Sequence, residues 1–356
     1  MPDETSRAAP RVAVVGSGYV GTVVAACLAF LGRQVIGVET DPHKLCELSR
    51  GCSPFYEPGL SDLLVGALGS GRLRFVGDVG DALAHSEALF LCVGTPPGDG
   101  GHADMSSVRE AAASIGRELR TPHVLITKST VPIGSGHWLR SLLEDAYEGS
   151  TPLEDILSVV SCPEFLREGS AIADFLTPER VVLGSDSGSA LELVREVYRP
   201  ILEQSFVGGD PDRCPALIQT GLLSAETVKY ASNAFLATKI SFINEIAMIC
   251  EFVGADVVEV ATAIGLDSRI GPRFLDAGAG WGGSCFGKDL QELISTAMDY
   301  GHDPRLLQAV TEVNHRQRQV VVEKLRRHLK TMRGRRICIM GLAFKPGTDD
   351  LRDAPA

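Results

Sequence analysis

The chain has 356 residues, a length that predicts two or three domains with a substantial hydrophobic core. Hydrophobic residues make up 44% and charged residues 22%, and no apolar run approaches the ~20 residues of a membrane span, which excludes a membrane-spanning protein. The net charge of −11 disfavours nucleic acid as a partner.

Nine cysteines are spread along the chain, and none of them forms a Cys-x-x-Cys pair. We therefore expect no metal site, and the odd, dispersed set indicates reduced thiols in a cytoplasmic protein. Residues 1–10 are polar and lack the apolar core of a signal peptide, so we expect a disordered lead-in there.

A strand–helix–strand unit follows this lead-in. An apolar strand at 12–15 runs directly into Gly16-Ser17-Gly18-Tyr19-Val20-Gly21, a helical pattern covers 22–31, and a second strand at 34–38 ends in Glu39. This order is the dinucleotide-binding fingerprint, in which the pyrophosphate rests on a helix N-terminus. The Glu39 carboxylate would bind the ribose hydroxyls and repel a 2′-phosphate, so we expect NAD rather than NADP.

Short apolar runs and helical stretches alternate through the following residues. The strands are predicted at 88–93, 124–127, 157–161 and 181–184, and the helices at 106–120, 136–147 and 190–198. This alternation predicts a Rossmann-type, doubly wound parallel α/β sheet over residues 11–208, with ligands bound at the carboxyl ends of the strands.

Residues 209–332 are predicted to form a helical central domain. One long helix covers 225–253, and a second helical region covers 290–332 with an interruption near 301–304. Because long helices after a Rossmann-type domain often form the core of an oligomer, we expect a homodimer that contacts its partner through 225–253.

Residues 333–356 begin with an apolar run at 336–340, which predicts a strand, and continue as a loop. We interpret them as the first strand and loop of a second, truncated α/β domain. With no sheet to support it, this loop is expected to be loosely held.

Cys285 lies in the glycine-rich segment 278–289, directly before a predicted helix. Amide donors and the positive end of the helix would favour a thiolate over a thiol. Lys288 adds a cation, and Asp289 is a possible base. The segment alone is equally compatible with a glycine-rich turn that carries an idle cysteine.

Two pairs of polar residues are spaced four apart. Lys229 and Asn233 would share one face of the long helix, where an amine and an amide could hold a developing oxyanion. Glu164 and Glu168 follow a predicted strand. The alternatives are a solvated lysine beside a packing asparagine, and a charged first helical turn.

Taken together, these segments resemble the UDP-glucose/GDP-mannose dehydrogenase family over nearly the whole chain. The motifs that carry the resemblance are those at 16–21, 57–60 (Glu-Pro-Gly-Leu), 92–96, 128–132 (Lys-Ser-Thr-Val-Pro), 163–169 (Pro-Glu-Phe-Leu-Arg-Glu-Gly), 269–271, 282–289 and 341–353. Phe286 and the run 341–356 are most similar to the UDP-glucose 6-dehydrogenases. That group oxidises the C6 alcohol of the sugar to the uronic acid with two NAD, through a cysteine thiohemiacetal and thioester.

The resemblance implies a role for individual residues. Cys285 would be the nucleophile, and Lys229, with Asn233 beside it, would stabilise the oxyanion. Asp289, Thr130 and Glu164 would position or activate water. The first base stays open between Lys229 and a water bound to Asp289.

The resemblance also implies two sets of binding residues. The residues that would hold NAD are Gly16, Gly18, Tyr19, Val20, Gly21, Glu39, Lys44, Thr95, Thr130, Glu168, Lys288 and Arg352. The residues that would hold the nucleotide sugar are Glu164, Phe165, Leu166, Lys229, Asn233, Arg269, Phe274, Gly282, Cys285 and Lys345. Arg269 would come from a neighbouring subunit.

Two residues depart from the family pattern: Glu39 stands where Asp is more frequent, and Cys162 stands where Asn is common. The substrate stays open among UDP-glucose, TDP-glucose and GDP-mannose. Other possible functions are a two-electron NAD dehydrogenase of related fold and an NAD-binding fragment without catalytic activity.

Overall fold

A computed structural model describes residues 9–356 of the chain. Most of the predicted lead-in, residues 1–8, lies outside the described residues. The described chain forms two compact units. The first comprises the described residues up to Pro96 together with Ala103–Lys229, and the second comprises Pro97–His102 and Tyr230–Ala356.

The first unit is built on a single sheet. Its strands are β1 (Val12–Val15), β2 (Val35–Val38), β3 (Leu73–Val76), β4 (Ala88–Leu91), β5 (His123–Thr127), β6 (Leu157–Ser161), β7 (Arg180–Gly184) and β8 (Ala216–Thr220). Their order across the sheet is β3-β2-β1-β4-β5-β6-β7-β8. Neighbouring strands pair in parallel except β6 and β7, which are antiparallel.

Helices connect these strands and cover both faces of the sheet. They are α1 (Tyr19–Phe30), α2 (Pro42–Ser49), α3 (Leu60–Gly69), α4 (Val79–Leu83), α5 (Ser106–Glu118), α6 (Ser135–Ala146), α7 (Leu153–Ile156), α8 (Ala171–Leu176) and α9 (Gly188–Leu202). The boundary between the two units falls within α10 (Leu222–Val253).

Successive side chains of β1 enter two different hydrophobic cores. Val12 and Val14 pack in a core that includes residues of α1, α3 and α9, whereas Ala13 and Val15 pack in a core that includes residues of α4, α5 and α6. Successive side chains of a strand point to opposite faces, and both faces here are buried, so the strand sequence is apolar throughout. The predicted doubly wound α/β sheet is confirmed.

The sheet differs from the prediction at its edges. Strands β3 and β8 were not predicted, because their residues are partly or largely exposed and form no continuous apolar run. The prediction of an entirely parallel sheet is wrong at β6 and β7. Parallel neighbours need a crossover connection, usually an α-helix. The connection between β6 and β7 contains only the six-residue helix α8, and the two strands are antiparallel, with their last residues, Ser161 and Gly184, opposite each other.

The second unit is helical. Besides the remainder of α10 it contains α11 (Val257–Gly265), α12 (Phe286–Asp299) and α13 (Arg305–Leu329). Its hydrophobic core is formed by Ala234, Ala237, Trp281, Leu290, Ile294 and Val310. The long helix and the interruption near residues 301–304 are confirmed, and α12 begins four residues earlier than predicted. No helix of residues 9–356 is long and apolar enough to cross a membrane.

The predicted strand at 336–340 is wrong, since these residues have no regular secondary structure. A strand is stabilised by hydrogen bonds to a neighbouring strand, and no described strand pairs with this run. The following loop is better supported than we expected: the Gly283 N–H donates to the Arg352 carbonyl at 3.1 Å, and Arg318 forms an ion pair of 2.8 Å with Asp353.

Candidate active site

Predicted site residues of the first unit gather at the carboxyl ends of the parallel strands. Gly16 follows β1, Glu39 follows β2, Thr95 follows β4, Thr130 follows β5 and Glu164 follows β6. Because β2, β1, β4, β5 and β6 are parallel neighbours, their ends lie along one edge of the sheet. The fold therefore brings together segments that are separated by more than a hundred residues.

The glycine-rich loop after β1 is closely packed at Gly16 and Gly21 and leaves free space at Gly18. Gly16 has φ +92°, a conformation that favours glycine, and a Cβ on Gly21 would lie 1.9 Å from the Gly16 carbonyl oxygen. A Cβ on Gly18 would meet no atom within 4 Å. The open side lies at the start of α1, for which Gly18 is the N-cap residue. This shape fits a pyrophosphate bound by helix N-terminal amides.

Two other predicted cofactor residues are held in place by hydrogen bonds. Glu39 is 9% exposed, and its Oε1 accepts from the Asp41 N–H at 2.9 Å. The Thr95 hydroxyl donates to the Thr130 carbonyl at 2.7 Å, which joins the loops after β4 and β5. Lys44, on α2, is exposed. These residues, with Val20 in α1, fit the adenosine and phosphate groups of a dinucleotide.

A buried ion pair joins α10 to the loop after β6. Lys229 Nζ lies 2.6 Å from Glu164 Oε1, and each side chain is 6% exposed. Glu164 Oε2 also accepts from the Leu166 N–H at 2.6 Å, and the ammonium lies 5.7 Å from the centre of the Phe165 ring. Burial alone would raise the pKa of Glu164, but Lys229 and the Leu166 amide hold it below its ordinary value.

Glu57 is a buried residue whose contacts were not predicted from the sequence, although its motif was recognised. Its side chain accepts hydrogen bonds from the Tyr19 hydroxyl, from the Gly169 N–H at 2.7 Å and from the Ala171 N–H at 2.8 Å. It thereby ties the loop after β6, which carries Glu168, to the start of α1.

Glu226 was also missed. Its carboxylate accepts from the Gly134 N–H at 2.6 Å and from the Gly136 N–H at 2.8 Å, and so caps α6 from another element. Burial raises the pKa of Glu226. It lies one turn before Lys229, but partners about ninety residues away in sequence cannot be inferred from helical spacing.

In the second unit, Cys285 is the N-cap residue of α12. Its carbonyl accepts from the Asp289 N–H at 2.9 Å, and its side chain is partly exposed. The buried Asp289 side chain accepts from Asn233 Nδ2 and from Lys288 Nζ, each at 2.6 Å. The structure thus brings four predicted residues together, and Asn233 donates to the Asp289 carboxylate.

The chain segment after residue 340 lies against the cysteine loop. A Cβ on Gly283 would lie 2.7 Å from the Phe344 ring, and one on Gly282 would lie 2.4 Å from the Asp353 carbonyl oxygen. Lys345 Nζ lies 5.5 Å from the centre of the Phe344 ring. Glycine at 282 therefore allows the close approach of two backbone segments, and glycine at 283 leaves room for the Phe344 ring.

Three other predicted residues of this unit form local contacts. Arg269 is 87% exposed and pairs with Asp267 at 2.6 Å, and Arg352 pairs with Asp350 at 2.8 Å. Phe274 has φ +66°, which is unusual for a residue with a side chain. Within residues 9–356 no cluster of His, Cys, Asp and Glu is placed to hold a metal ion.

The NAD binding domain of the UDP-glucose/GDP-mannose dehydrogenase family matches residues 10–202, and the central domain of the family matches residues 223–316. The chain belongs to this family. It is an NAD-dependent nucleotide-sugar dehydrogenase.

Several relatives illustrate the match. The UDP-glucose 6-dehydrogenase TuaD of Bacillus subtilis (strain 168) is 46% identical over 346 residues, covering 97% of this chain and 72% of the relative. The structure of a UDP-glucose dehydrogenase from Pyrobaculum islandicum superposes with a TM-score of 0.90 at 39% identity, covering 100% of this chain and 79% of that one. A GDP-mannose dehydrogenase structure from Pseudomonas aeruginosa gives 0.66 at 32% identity, covering 97% and 76%.

Alanine substitutions at two glycines of the nucleotide loop should have different consequences. Gly21→Ala places a methyl group against the Gly16 carbonyl, so we expect a loss of roughly 1–3 kcal/mol or more in the free energy of unfolding. Gly18→Ala meets no protein atom and should keep the wild-type stability but bind NAD more weakly. Urea unfolding and NAD titration of both variants measure this. Equal stability of the two would contradict the geometry of the loop.

Replacing Glu164 by Gln should destabilise the fold strongly. The variant loses the carboxylate that balances the buried Lys229 charge, which costs on the order of 3–5 kcal/mol. Since Glu164 has a lowered pKa, its stabilising effect is present above its unfolded pKa of about 4.3 and is lost as the pH falls through the folded value. Urea midpoints measured across acid pH should therefore converge for wild type and variant at low pH.

The exposed pair of Arg11 and Glu87 is the matched control. Its distance is also short, at 2.7 Å, but the side chains are 52% and 40% exposed. Glu87→Gln should change stability by no more than about 1 kcal/mol. An equally small effect of Glu164→Gln would show that the buried pair does not stabilise the fold.

Proposed function

We propose that this enzyme oxidises UDP-glucose at C6 to the uronic acid, with Cys285 as the covalent nucleophile. The observation that carries the proposal is the position of Cys285 at the N-terminus of α12, near the hydrogen-bonded group of the buried Asp289 and Asn233 with the partly exposed Lys288. A two-electron dehydrogenase has no use for such a thiol. A four-electron oxidation needs a nucleophile that converts the aldehyde into a tetrahedral adduct.

NAD, when bound, supplies the hydride acceptor, and two NAD molecules that bind in turn would accept one hydride each. The residues proposed to hold it are those of the glycine-rich loop, Glu39 and Lys44 at the ribose and adenosine, and Thr95, Thr130, Glu168, Lys288 and Arg352 elsewhere. The Glu39 carboxylate favours the unphosphorylated ribose, because a 2′-phosphate would place two anions together.

The Cys285 sulfur adds to the aldehyde carbon and forms a thiohemiacetal. Loss of the hydride from that carbon and of the proton from its hydroxyl leaves a thioester, and attack of water releases the carboxylate and restores the thiol. The helix N-terminus favours negative charge on the sulfur before it attacks the aldehyde. Asp289, held by two donors, is positioned to accept a proton from water.

Lys229 is proposed to stabilise the oxyanion that develops at C6. An ammonium in a site that excludes water stabilises an oxyanion far more than it would in bulk water. The Glu164 carboxylate holds this ammonium in one place at 2.6 Å. Glu164 and Thr130 would orient water, and either Lys229 or a water on Asp289 would serve as the first base.

UDP-glucose is favoured over GDP-mannose or TDP-glucose by the comparisons. The relative at 46% identity is a UDP-glucose 6-dehydrogenase, whereas the GDP-mannose dehydrogenase is 32% identical. The proposed sugar-nucleotide contacts are Phe165, Leu166, Asn233, Arg269, Phe274, Gly282 and Lys345. Residues 333–356 are proposed to begin the domain that contacts the nucleotide.

A homodimer through α10 is proposed because this helix presents an apolar stripe. Phe235, Phe242, Ile249 and Phe252 are 65%, 49%, 50% and 85% exposed, at spacings of seven and three residues that repeat on one helical face. All nine cysteines lie in the described chain as free thiols, which supports a cytoplasmic setting.

Cys285→Ser should abolish production of the acid while leaving NAD binding intact. A serine hydroxyl is ionised far less than a thiol at neutral pH and forms a less reactive ester. We expect two NADH per UDP-glucose in the wild type and a rate lower by several orders of magnitude in the variant, measured by absorbance and by product analysis.

Cys214→Ser is the matched control, because Cys214 is an exposed thiol outside the proposed site. It should keep wild-type turnover. One NADH per sugar in the wild type would support the two-electron alternative. Intact NAD binding without turnover of UDP-glucose, TDP-glucose or GDP-mannose would support the non-catalytic fragment.

A further inference from the structure

The Glu-Pro-Gly-Leu motif at 57–60 has no role in the mechanism above, yet Glu57 is one of the most buried acids of the first unit, at 6% exposure. A buried carboxylate is costly unless its oxygens accept hydrogen bonds. Every hydrogen bond that the described residues donate to the Glu57 side chain comes from one of two segments. These are the start of α1 and the segment at 163–171.

One oxygen of this carboxylate is shared between the two segments. Glu57 Oε2 accepts from the Tyr19 hydroxyl and also from the Gly169 N–H at 2.7 Å, while Oε1 accepts from the Ala171 N–H at 2.8 Å. Tyr19 is the first residue of α1, directly after Gly18. A change in the position of Tyr19 therefore alters the acceptor that holds Gly169.

Neighbouring apolar side chains support both the donor and the acceptor of the Tyr19–Glu57 hydrogen bond. The Tyr19 ring packs on Phe55 with ring centroids 4.8 Å apart, and α3, which begins three residues after Glu57, has Leu60 and Leu64 fully buried. Burial and the Glu57 carboxylate both raise the pKa of Tyr19 well above its ordinary value. The hydroxyl therefore keeps its proton and remains a donor throughout the neutral pH range.

We propose that Glu57 is a positioning residue that transmits occupancy of the nucleotide loop to the substrate segment 163–171. Binding of the dinucleotide at the N-terminus of α1 restrains Tyr19, the shared oxygen restrains Gly169, and the segment that carries Glu164, Phe165 and Leu166 becomes more ordered. When the first ligand has already ordered the segment, the second ligand loses less conformational entropy on binding. The two sites are therefore positively coupled.

The inference depends on NAD binding, which is shown for the family, and on the proposed function only for the identity of the second ligand. The test therefore uses NADH alone as the probe and needs no sugar nucleotide. Hydrogen exchange of peptides that cover 163–171 is measured by mass spectrometry, without NADH and at a saturating concentration of it, for the wild type and for each variant.

In the wild type, NADH should slow exchange of the Gly169 and Ala171 amides by at least about fivefold, the lower end of typical coupling effects. In Tyr19→Phe the bridging donor is missing, and in Glu57→Gln an amide NH₂ can replace the shared acceptor. In both variants the ratio of the exchange rate without NADH to the rate with NADH should fall below about twofold. If Glu57→Gln does not fold, Tyr19→Phe carries the test.

Asp174→Asn is the matched control. Asp174 anchors the same segment by accepting from the Arg167 N–H at 2.8 Å, but its described contacts do not include Tyr19. This variant should speed exchange both with and without NADH and leave their ratio unchanged. A purely structural role of Glu57 would give the same pattern in Glu57→Gln.

Two results would overturn the proposal. One is a wild-type segment whose exchange NADH does not alter. The other is full NADH protection in Tyr19→Phe, which would mean that a direct contact of the cofactor with the segment, for example at Glu168, orders it without the connection through Glu57. Absence of NADH formation from UDP-glucose in a parallel assay would refute the proposed substrate and leave the exchange result unaffected.

Discussion

The structure of the first unit depends on partners for the charged groups that are buried at the carboxyl edge of the sheet. A buried charge is tolerated only with a partner of opposite sign or with several hydrogen bonds. Lys229 and Glu164 satisfy this requirement together, Glu57 satisfies it with three donors, and Glu226 with two backbone amides. Each of these groups is held by partners on an element other than its own, so the groups fix the loops that surround the site.

Lys128 is another buried charge, with longer contacts, and one of these contacts is to Cys162. The Lys128 side chain is buried, and its Nζ donates to the Pro163 carbonyl at 3.3 Å and to Cys162 Sγ at 3.5 Å. Its charge also helps to lower the pKa of Glu164. Cys162, where the family commonly has Asn, thus contacts a buried cation as well as the Tyr198 hydroxyl.

Much of the fold followed from the sequence, because buried parallel strands are apolar along their whole length and glycine spacing marks the nucleotide loop. The exposed edge strands β3 and β8 carry no such pattern and were missed. The run at 336–340 has the composition of a strand, but composition does not supply a neighbouring strand. Local pattern is thus sufficient where burial dictates residue type and fails where pairing decides the structure.

In the candidate site, too, local sequence pattern predicts some features and misses others. Cys285 and Glu164 were found from short motifs that lie beside the ends of elements, and Lys229 was found from its spacing to Asn233 on the long helix and from the family resemblance. The partners that hold these residues were not found from local spacing. Glu164 is 65 residues from Lys229 in sequence, and Asp289 is 56 residues from Asn233. Only the three-dimensional fold shows that Asn233 donates to the Asp289 carboxylate, a contact that helical spacing could not predict.

In the proposed reaction, Cys285 carries the sugar covalently from the aldehyde, through the second hydride transfer, until water releases the acid. Acid quenching during turnover with UDP-glucose and NAD, followed by mass spectrometry of the peptide that contains Cys285, tests it most directly. The account predicts a thioester of the oxidised sugar nucleotide on Cys285, which disappears in Cys285→Ser together with acid formation. Rapid acid formation by Cys285→Ser, with no adduct on the wild-type peptide, would contradict the account.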